Sequence, residues 1–527
     1  DAEEQDRLSV SLELISKILL DKKYKGWDNI GMAVQAYGKR SLDLIDWIAE
    51  ITKERSRIHV RLVKGAYWDY EIKQSQIKSH PGYPVFTNKS LTDLNFLHSA
   101  NKILKKDRIY PKFATHNAHT IASIYEMGRG KKYEFQRLFG MGELLYDSAS
   151  KVFSELPKVS IYAPIGAYKD LLPYLVRRLL ENGANSSFIN RLLDTNIEAE
   201  KLAENPAKVI KSKLENDNLL NIRLPIDMFK ERKNSIGIDL TETENIAKLK
   251  AGLSIFDNLK INALSSLNKS TVRNKVKSLC DGRLIGNVEF DDPEHINSNE
   301  INALMNNEWS KTSVDHRAKT LNKVADLLQA NANELLYLLM HETGKTIHDA
   351  WDELREAEDF LRYYSSEGIK LQSDSIVLKG PTGELNELAY HPKGTFLCIS
   401  PWNFPVTLTF GPLGSIFAAG NRAMIKPSEF TPKTSELMKK MFSEEFSEDE
   451  VAVFTGGPDI GEAFSSLPFD HLLFTGATSI AKHVMRAASE NLVPVTLELG
   501  GKSPVIISDN SNFEVSVNRI MAGKTLN

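Results

Sequence analysis

The chain has 527 residues, of which 42% are hydrophobic, 26% charged and 9% aromatic, a composition that excludes collagen-like, disulfide-scaffold and wholly disordered proteins. At roughly 100–200 residues per domain, more than one folding unit is expected. The 66 Lys and Arg nearly balance 69 Asp and Glu, for a net charge of −3, which gives no electrostatic case for nucleic acid as a partner; the two cysteines, Cys280 and Cys398, exclude a disulfide framework and fit a cytoplasmic, reducing setting.

From residue 1 to about 190, short β-type runs alternate with longer amphipathic stretches, the pattern of βα units around parallel strands. Strands are predicted over 31–37, 58–65, 110–117, 134–141 and 159–166. Asp1 opens the chain in place of Met, no signal segment follows it, and 522–527 carry no terminal motif, so the chain reads as a piece of a longer protein. The fold class expected is α/β, a partial (β/α)8 barrel without its first strands. Residues 191–300, rich in Asn, Lys, Glu and Ser, read as a helical connector with one helix over 245–259. Beyond 301, helical signals over 317–343 and 348–364 lead to strands predicted at 396–400, 423–426, 451–455, 471–475 and 495–497, the layout of a doubly wound, Rossmann-like sheet. The uncharged run 394–421 is long enough to test as a membrane span, but Pro401, Asn403, Pro405 and Pro412 break it.

In the run from Ile58 to Gly65, Ile58, Val60 and Leu62 share one strand face, which puts Arg61 on the other, the interior of a barrel. A guanidinium there needs an anion or an electron-rich ligand, or else a carboxylate at the strand end. Residues 174–182 read as a helix stopped by Gly183. On it, Arg177, Arg178 and Glu181 can cluster, either as forks for a small carboxylate or as a solvated salt-bridge face. His116 stands at a strand end, where a hydrogen-bonded structural histidine is the alternative to a ligand contact.

Together, the runs 61–69, 113–117, 133–136, 161–164 and 174–188 resemble the proline dehydrogenase domain of the bifunctional proline utilization A flavoproteins. The resemblance implies an FAD-binding barrel that oxidises L-proline to pyrroline-5-carboxylate and passes the electrons to a membrane quinone. It implies that Arg177 and Arg178 clamp the proline carboxylate, that Tyr162, Tyr67, Leu138, Glu181 and Asp1 wall the site, and that Arg61 lies near the flavin. Contacts to FAD are implied for Gln35, Lys64, Gly65, Ala66, Trp68, Thr87, Lys89, Thr92, His116, Asn117 and Gln136.

Four motifs follow in the second half. In Ile399-Ser400-Pro401-Trp402-Asn403-Phe404-Pro405, two prolines fix a turn after a buried strand so that Asn403 projects an amide able to stabilise an oxyanion; an Asn in such a turn can also be purely structural. Lys426-Pro427-Ser428-Glu429 suits ribose hydroxyls, and the turn from Phe474 to Ser479 suits a pyrophosphate, though each is a weak signal alone. Glu498, before Gly500 and Gly501, can serve as a general base or pair with a lysine.

In order, these motifs resemble the NAD-binding half of the aldehyde dehydrogenase superfamily over about 300–527, the catalytic part lying further on. The resemblance implies oxidation of glutamate semialdehyde to glutamate with NAD, roles for Asn403 and Glu498 in catalysis, and NAD contacts from Ile399, Pro401, Trp402, Lys426, Ser428, Glu429, Gly457, Gly461, Phe474, Thr475, Gly476 and Ser479. The superfamily's nucleophilic cysteine would lie a little beyond 522–527, and Cys398, on a buried strand, is no substitute for it. From about Val406 the wording is more similar to coniferyl-aldehyde-type dehydrogenases, so an aldehyde dehydrogenase of another class fused to a vestigial flavin barrel stays open; the missing strands and nucleophile leave a non-catalytic cofactor-binding or interaction remnant open as well. A homo-oligomer touching the inner membrane face peripherally is the expected setting.

Overall fold

The computed structural model describes residues 4–183, 204–215, 222–259, 261–263, 273–290, 292–296, 308–373 and 375–525. Asp1 lies outside them, as do the side chains of Arg177 and Glu181. The chain divides into two compact units, Asp1–Pro225 with Ile238–Ile246, and Ile226–Gly237 with Ala247–Asn527.

In the first unit, α1 (Leu8–Leu20) precedes a run of βα units: β1 (Gly31–Gln35), α2 (Ser41–Ile51), β2 (Ile58–Val63), α3 (Trp68–Ile77), α4 (Lys89–Leu104), β3 (Ile109–Ala114), α5 (Ala118–Met127), β4 (Glu134–Leu138), α6 (Glu143–Val152), β5 (Val159–Tyr162) and α7 (Tyr168–Gly183). All five predicted strands are present, each ending a few residues before the predicted boundary because the chain turns to its next helix there. They form one parallel sheet in the order β1-β2-β3-β4-β5, the order expected of consecutive barrel strands. On β2 and β3, buried and half-buried residues alternate strictly. Val60, Leu62 and Phe113 turn outward into a core shared with Ile45, Ile48, Phe96 and Ile103 of the helices, and burial of such side chains contributes about 1.5–3 kcal/mol each. The opposite face carries Arg61, Lys112 and Glu134 in register across three strands, and Lys112 and Glu134 pair at 3.1 Å. A short helix, α8 (Pro206–Glu215), follows this sheet in sequence.

The second unit departs from the expected connector. After α9 (Thr243–Ser254), the strands β6 (Ile261–Ala263), β7 (Arg273–Lys277) and β8 (Leu284–Glu289) form a sheet in the order β6-β8-β7. These strands are too short and polar to give a period-2 signal; only contacts across the sheet reveal them. The single helix expected over 317–343 is two, α10 (Val314–Ala330) and α11 (Ala332–Leu338), followed by a π turn (Leu339–Thr343) that Gly344 closes at φ +74°. Then come α12 (Ile347–Gln372) and an antiparallel hairpin, β9 (Ile376–Lys379) and β10 (Leu385–Leu388), which the sequence reading also missed; both strands are solvent-exposed throughout, so no buried face marks them.

The remaining elements are β11 (Thr395–Ile399), α13 (Thr407–Ala418), β12 (Arg422–Lys426), α14 (Pro432–Glu445), β13 (Val451–Val453), α15 (Pro458–Ser465), β14 (His471–Gly476), α16 (Thr478–Ser489), β15 (Val495–Leu499) and α17 (Phe513–Lys524). Their parallel sheet has the order β13-β12-β11-β14-β15, so the strand order reverses between β11 and β14, the place where such sheets open a ligand crevice. Among the described residues no helix is long and apolar enough to cross a membrane.

Candidate active sites

In the first unit the candidate residues gather at the C-terminal ends of the parallel strands, where loops are free to carry chemistry while the strands stay packed. Gln35 ends β1, Lys64 to Trp68 follow β2, His116 and Asn117 follow β3, Leu138 ends β4 and Tyr162 ends β5. The loop holding Thr87 is tied to the end of β1: Tyr37 donates its N–H to the Lys64 carbonyl at 2.7 Å, and Phe86 donates to the Tyr37 carbonyl at 2.8 Å. Gly65 passes flat beneath the Tyr37 ring at φ +122°, where an added Cβ would lie 2.5 Å from the ring carbons. No other residue fits there.

A set of contacts links residues implied to face the substrate with residues implied to face the flavin. The Arg61 guanidinium stands 5.5 Å from the centre of the Tyr162 ring. Tyr162 is in register with Leu138, and the Leu138 N–H donates to Nε2 of His116 at 3.3 Å. Burial first, and then the positive charges of Arg137 and Arg178, push the His116 imidazole down to about 4, so it is neutral near pH 7 with its proton on Nδ1. Arg178 is half-buried on α7, its guanidinium 5.1 Å from the Tyr174 ring. Gly142, at φ +68°, runs under His116, where a Cβ would come within 2.8 Å of Cδ2.

Other residues have structural roles that the resemblance did not convey. Lys64 pairs with Asp93, a partner the sequence reading missed. Asn117 caps α5, accepting from the Thr120 N–H at 2.9 Å, and Trp68 donates its indole N–H to the Phe86 carbonyl at 2.8 Å. Thr87 and Thr92 are buried, whereas Lys89 is exposed at the start of α4; Ala66 and Tyr67 are half-buried before α3. Gln136 donates to Glu134 at 3.1 Å while its Oε1 is buried with no hydrogen-bond partner among the described residues. An unmatched buried acceptor of this kind costs about 1–3 kcal/mol, and a ligand with N–H or O–H donors fits it, as the flavin of FAD does.

His116 gives a pH test. Its folded-state proton affinity lies below the ordinary value of 6.5, so the unfolded chain binds more protons between about pH 4 and 6.5. Stability is therefore whole above that window and falls as pH drops through it, by up to about 3 kcal/mol from this group. Chemical denaturation of the His116→Gln protein at pH 7 and pH 4.5 should show a smaller acid loss than the parent; an equal loss would contradict a neutral buried imidazole.

In the second unit, a cleft of about 1460 Å³ opens at the β11/β14 reversal. Ile399, Pro401, Trp402, Asn403, Lys426, Ser428, Glu429, Gly461, Phe474, Thr475, Gly476 and Glu498 all line it. Gly457 and Ser479 do not: Gly457 is the residue before α15, and Ser479 lies inside the first turn of α16, leaving Thr478 on the cleft wall. Register explains part of this gathering, since Glu498 of β15 sits beside Thr475 of β14.

Lys426 is 4% exposed and its ammonium is 3.1 Å from the Glu429 carboxylate; burial lowers its proton affinity and Glu429 restores part of it. A buried cation and a carboxylate on one cleft wall fit the donor and acceptor needs of a dinucleotide's ribose. Asn403 is half-buried at the cleft and makes no hydrogen bond to a described residue, so its amide is available to a ligand. Glu498 is exposed on the opposite side of the sheet's crossover. Burial pushes the Cys398 thiol up to about 12, which keeps it protonated and unreactive.

Both halves of the chain match known proteins. Residues 1–191 match the family model "Proline dehydrogenase", and residues 268–527 match "Aldehyde dehydrogenase family". The latter begins before the boundary expected near 301 and takes in β7 and β8. The chain is 35% identical to "Bifunctional protein PutA" of Escherichia coli over 99% of its own length and 41% of that protein's. It is 46% identical to a "Probable coniferyl aldehyde dehydrogenase" of Caulobacter vibrioides over 45% of this chain and 52% of that one. A Bradyrhizobium japonicum proline utilization A (PutA) crystal structure superposes with a TM-score of 0.83 at 38% identity, covering 95% of this chain and 49% of the other. The chain thus spans about two-fifths of the length of the curated PutA proteins it matches. Residues 1–191 thus match the proline dehydrogenase family and residues 268–527 the aldehyde dehydrogenase family within one chain, which fits a PutA-type fusion.

Proposed function

We propose that the protein carrying this chain oxidises L-proline to pyrroline-5-carboxylate in the first unit and glutamate semialdehyde to glutamate in the second. The observation that supports this most is the presence of two parallel sheets in one chain, each with candidate polar side chains on its strands or just after them: Arg61, Tyr162 and His116 in one, Asn403, Lys426, Glu429 and Glu498 in the other.

FAD and NAD, when bound, supply the two-electron acceptors for these oxidations. Gln35, Arg61, Lys64 to Ala66, Trp68, Thr87, Lys89, Thr92, His116, Asn117 and Gln136 would hold FAD. Arg178, with Arg177, would fix the proline carboxylate by forked, charge-assisted hydrogen bonds. Tyr67, Leu138, Tyr162 and Glu181 would confine the ring, and Asp1 would close the wall. Neutral His116 adds no third positive charge to the two arginines beside the carboxylate. In the second unit, Lys426, Ser428 and Glu429 would hold the ribose of NAD, while the first amides of α16 would meet its phosphates. Asn403 would donate to the developing oxyanion, and Glu498 would take a proton from water or substrate. We further propose a membrane quinone as the electron acceptor of the first unit, with peripheral contact at the inner, cytoplasmic face of the membrane, and a homo-oligomer as the working form.

Anaerobic addition of proline should bleach the bound flavin, and glutamate semialdehyde should yield NADH. Absence of bleaching in flavin-loaded protein would favour a vestigial barrel. The 46% identity to the coniferyl aldehyde dehydrogenase relative favours a second reading of the aldehyde half: a higher kcat/KM for coniferaldehyde than for glutamate semialdehyde would assign it to that class.

A further inference from the structure

Two loops of the second cleft each run into a helix whose first amides are bound by a distant, buried carboxylate. After the Asn403 turn, the N–H groups of Val406 and Thr407 donate to Oε1 of Glu353 at 2.8 and 3.3 Å. After the Lys426–Glu429 loop, the N–H groups of Lys433 and Thr434 each donate to Glu342 at 2.9 Å, and the Thr434 hydroxyl donates at 2.6 Å. Glu342 and Glu353 are 3% and 2% exposed. Neither α13 nor α14 has a side-chain cap of its own.

A local Ser or Asp would satisfy the same amides at a smaller desolvation cost. Both carboxylates instead come from one short segment, which begins in the π turn Leu339–Thr343 and bends at Gly344 into α12. Lys345, on the same segment, lies 3.2 Å from Oε2 of Glu353, and its ammonium stands 3.2 Å from the centre of the Phe404 ring, next to Asn403. π turns occur disproportionately at functional sites. The segment touches the residues that follow each loop, and Lys345 reaches into the Asn403 turn itself.

We propose that residues 342–353 form a brace that sets the position of both cleft loops, Glu342 holding the ribose-side loop and the Lys345–Glu353 pair holding the Asn403 turn. They are positioning residues and act through the loops. The proposal rests on the reading of this cleft as a dinucleotide site.

The test uses NAD and ADP titrations of the purified chain, together with amide hydrogen exchange at Val406 and Thr407. Glu342→Gln should weaken ADP binding roughly fivefold or more, since at least one of three hydrogen bonds is lost, with exchange at Val406 and Thr407 as in the parent. Lys345→Met should speed exchange at those two amides about tenfold with ADP affinity within about twofold. The double variant Lys345→Met/Glu353→Gln, which keeps an amide oxygen as acceptor and removes both charges, should restore the parental exchange. The brace is overturned if Glu342→Gln and Lys345→Met change the same observables alike, or if the double variant exchanges as fast as the single one. Should Lys345→Met fail to fold, the double variant decides alone, parental exchange supporting the brace and faster exchange refuting it. If the parent binds neither NAD nor ADP, the dinucleotide reading fails, and the exchange pattern still decides the brace.

Discussion

Replacing Arg178 by alanine in the complete, flavin-loaded protein is expected to lower kcat/KM for L-proline roughly a hundredfold or more, because removing one partner of a desolvated, charge-assisted hydrogen bond costs about 2–5 kcal/mol. FAD content should stay near the parental level. Arg178 stands on α7 beside Tyr174, and its charge is felt at His116, whereas most residues proposed to hold FAD lie on the ends of β1 and β2 and the loops after them. Arg178→Lys should recover only part of the loss, since an ammonium cannot present the two parallel N–H donors of a guanidinium. The measurement is steady-state proline oxidation alongside the flavin-to-protein absorbance ratio. Loss of flavin and of turnover in equal proportion would mean that Arg178 holds the fold of the flavin site and does not clamp the substrate.

Glu498→Gln is expected to suppress aldehyde oxidation by about 10²–10⁴-fold, the usual contribution of a positioned general base, and to leave proline oxidation unchanged. The side chain lies exposed on the wall of the second cleft at the end of β15, so its replacement by an isosteric amide should shift stability by no more than about 0.5 kcal/mol. NAD affinity should also hold, because Lys426, Ser428 and Glu429 sit on β12 and the loop after it. Parallel assays of NADH formation and flavin reduction on one preparation separate the two activities. Unchanged NADH formation would remove Glu498 from the chemistry and leave it as a strand-end carboxylate.

The strands were legible because the period-2 alternation of Ile58, Val60 and Leu62, and the apolar run Phe396-Leu397-Cys398-Ile399 of β11, record which faces are buried. The three-stranded sheet of β6, β7 and β8 was not, since only a few residues such as Ile285 and Val288 are buried there and the short, polar strands show no regular alternation. The hairpin of β9 and β10 buries nothing and left no pattern to read. At the second site, twelve of the fourteen candidates line the cleft; Gly457 and Ser479 fall just off it because the exact residue that begins a helix is set by its capping geometry, which a motif marks only to within a position or two.

Linear order and residue type by themselves determined the two α/β segments, their strands, and the candidate groups at the strand ends, since hydrophobic periodicity and turn chemistry are local properties of the chain. Only the tertiary structure decided which groups meet: Asp93 on Lys64, Gly142 beneath His116, and Glu342 and Glu353 on the amides of α14 and α13. Each of these pairs is separated by tens of residues in sequence, and a buried charge or a close backbone approach is tolerated only where packing brings its partner to it.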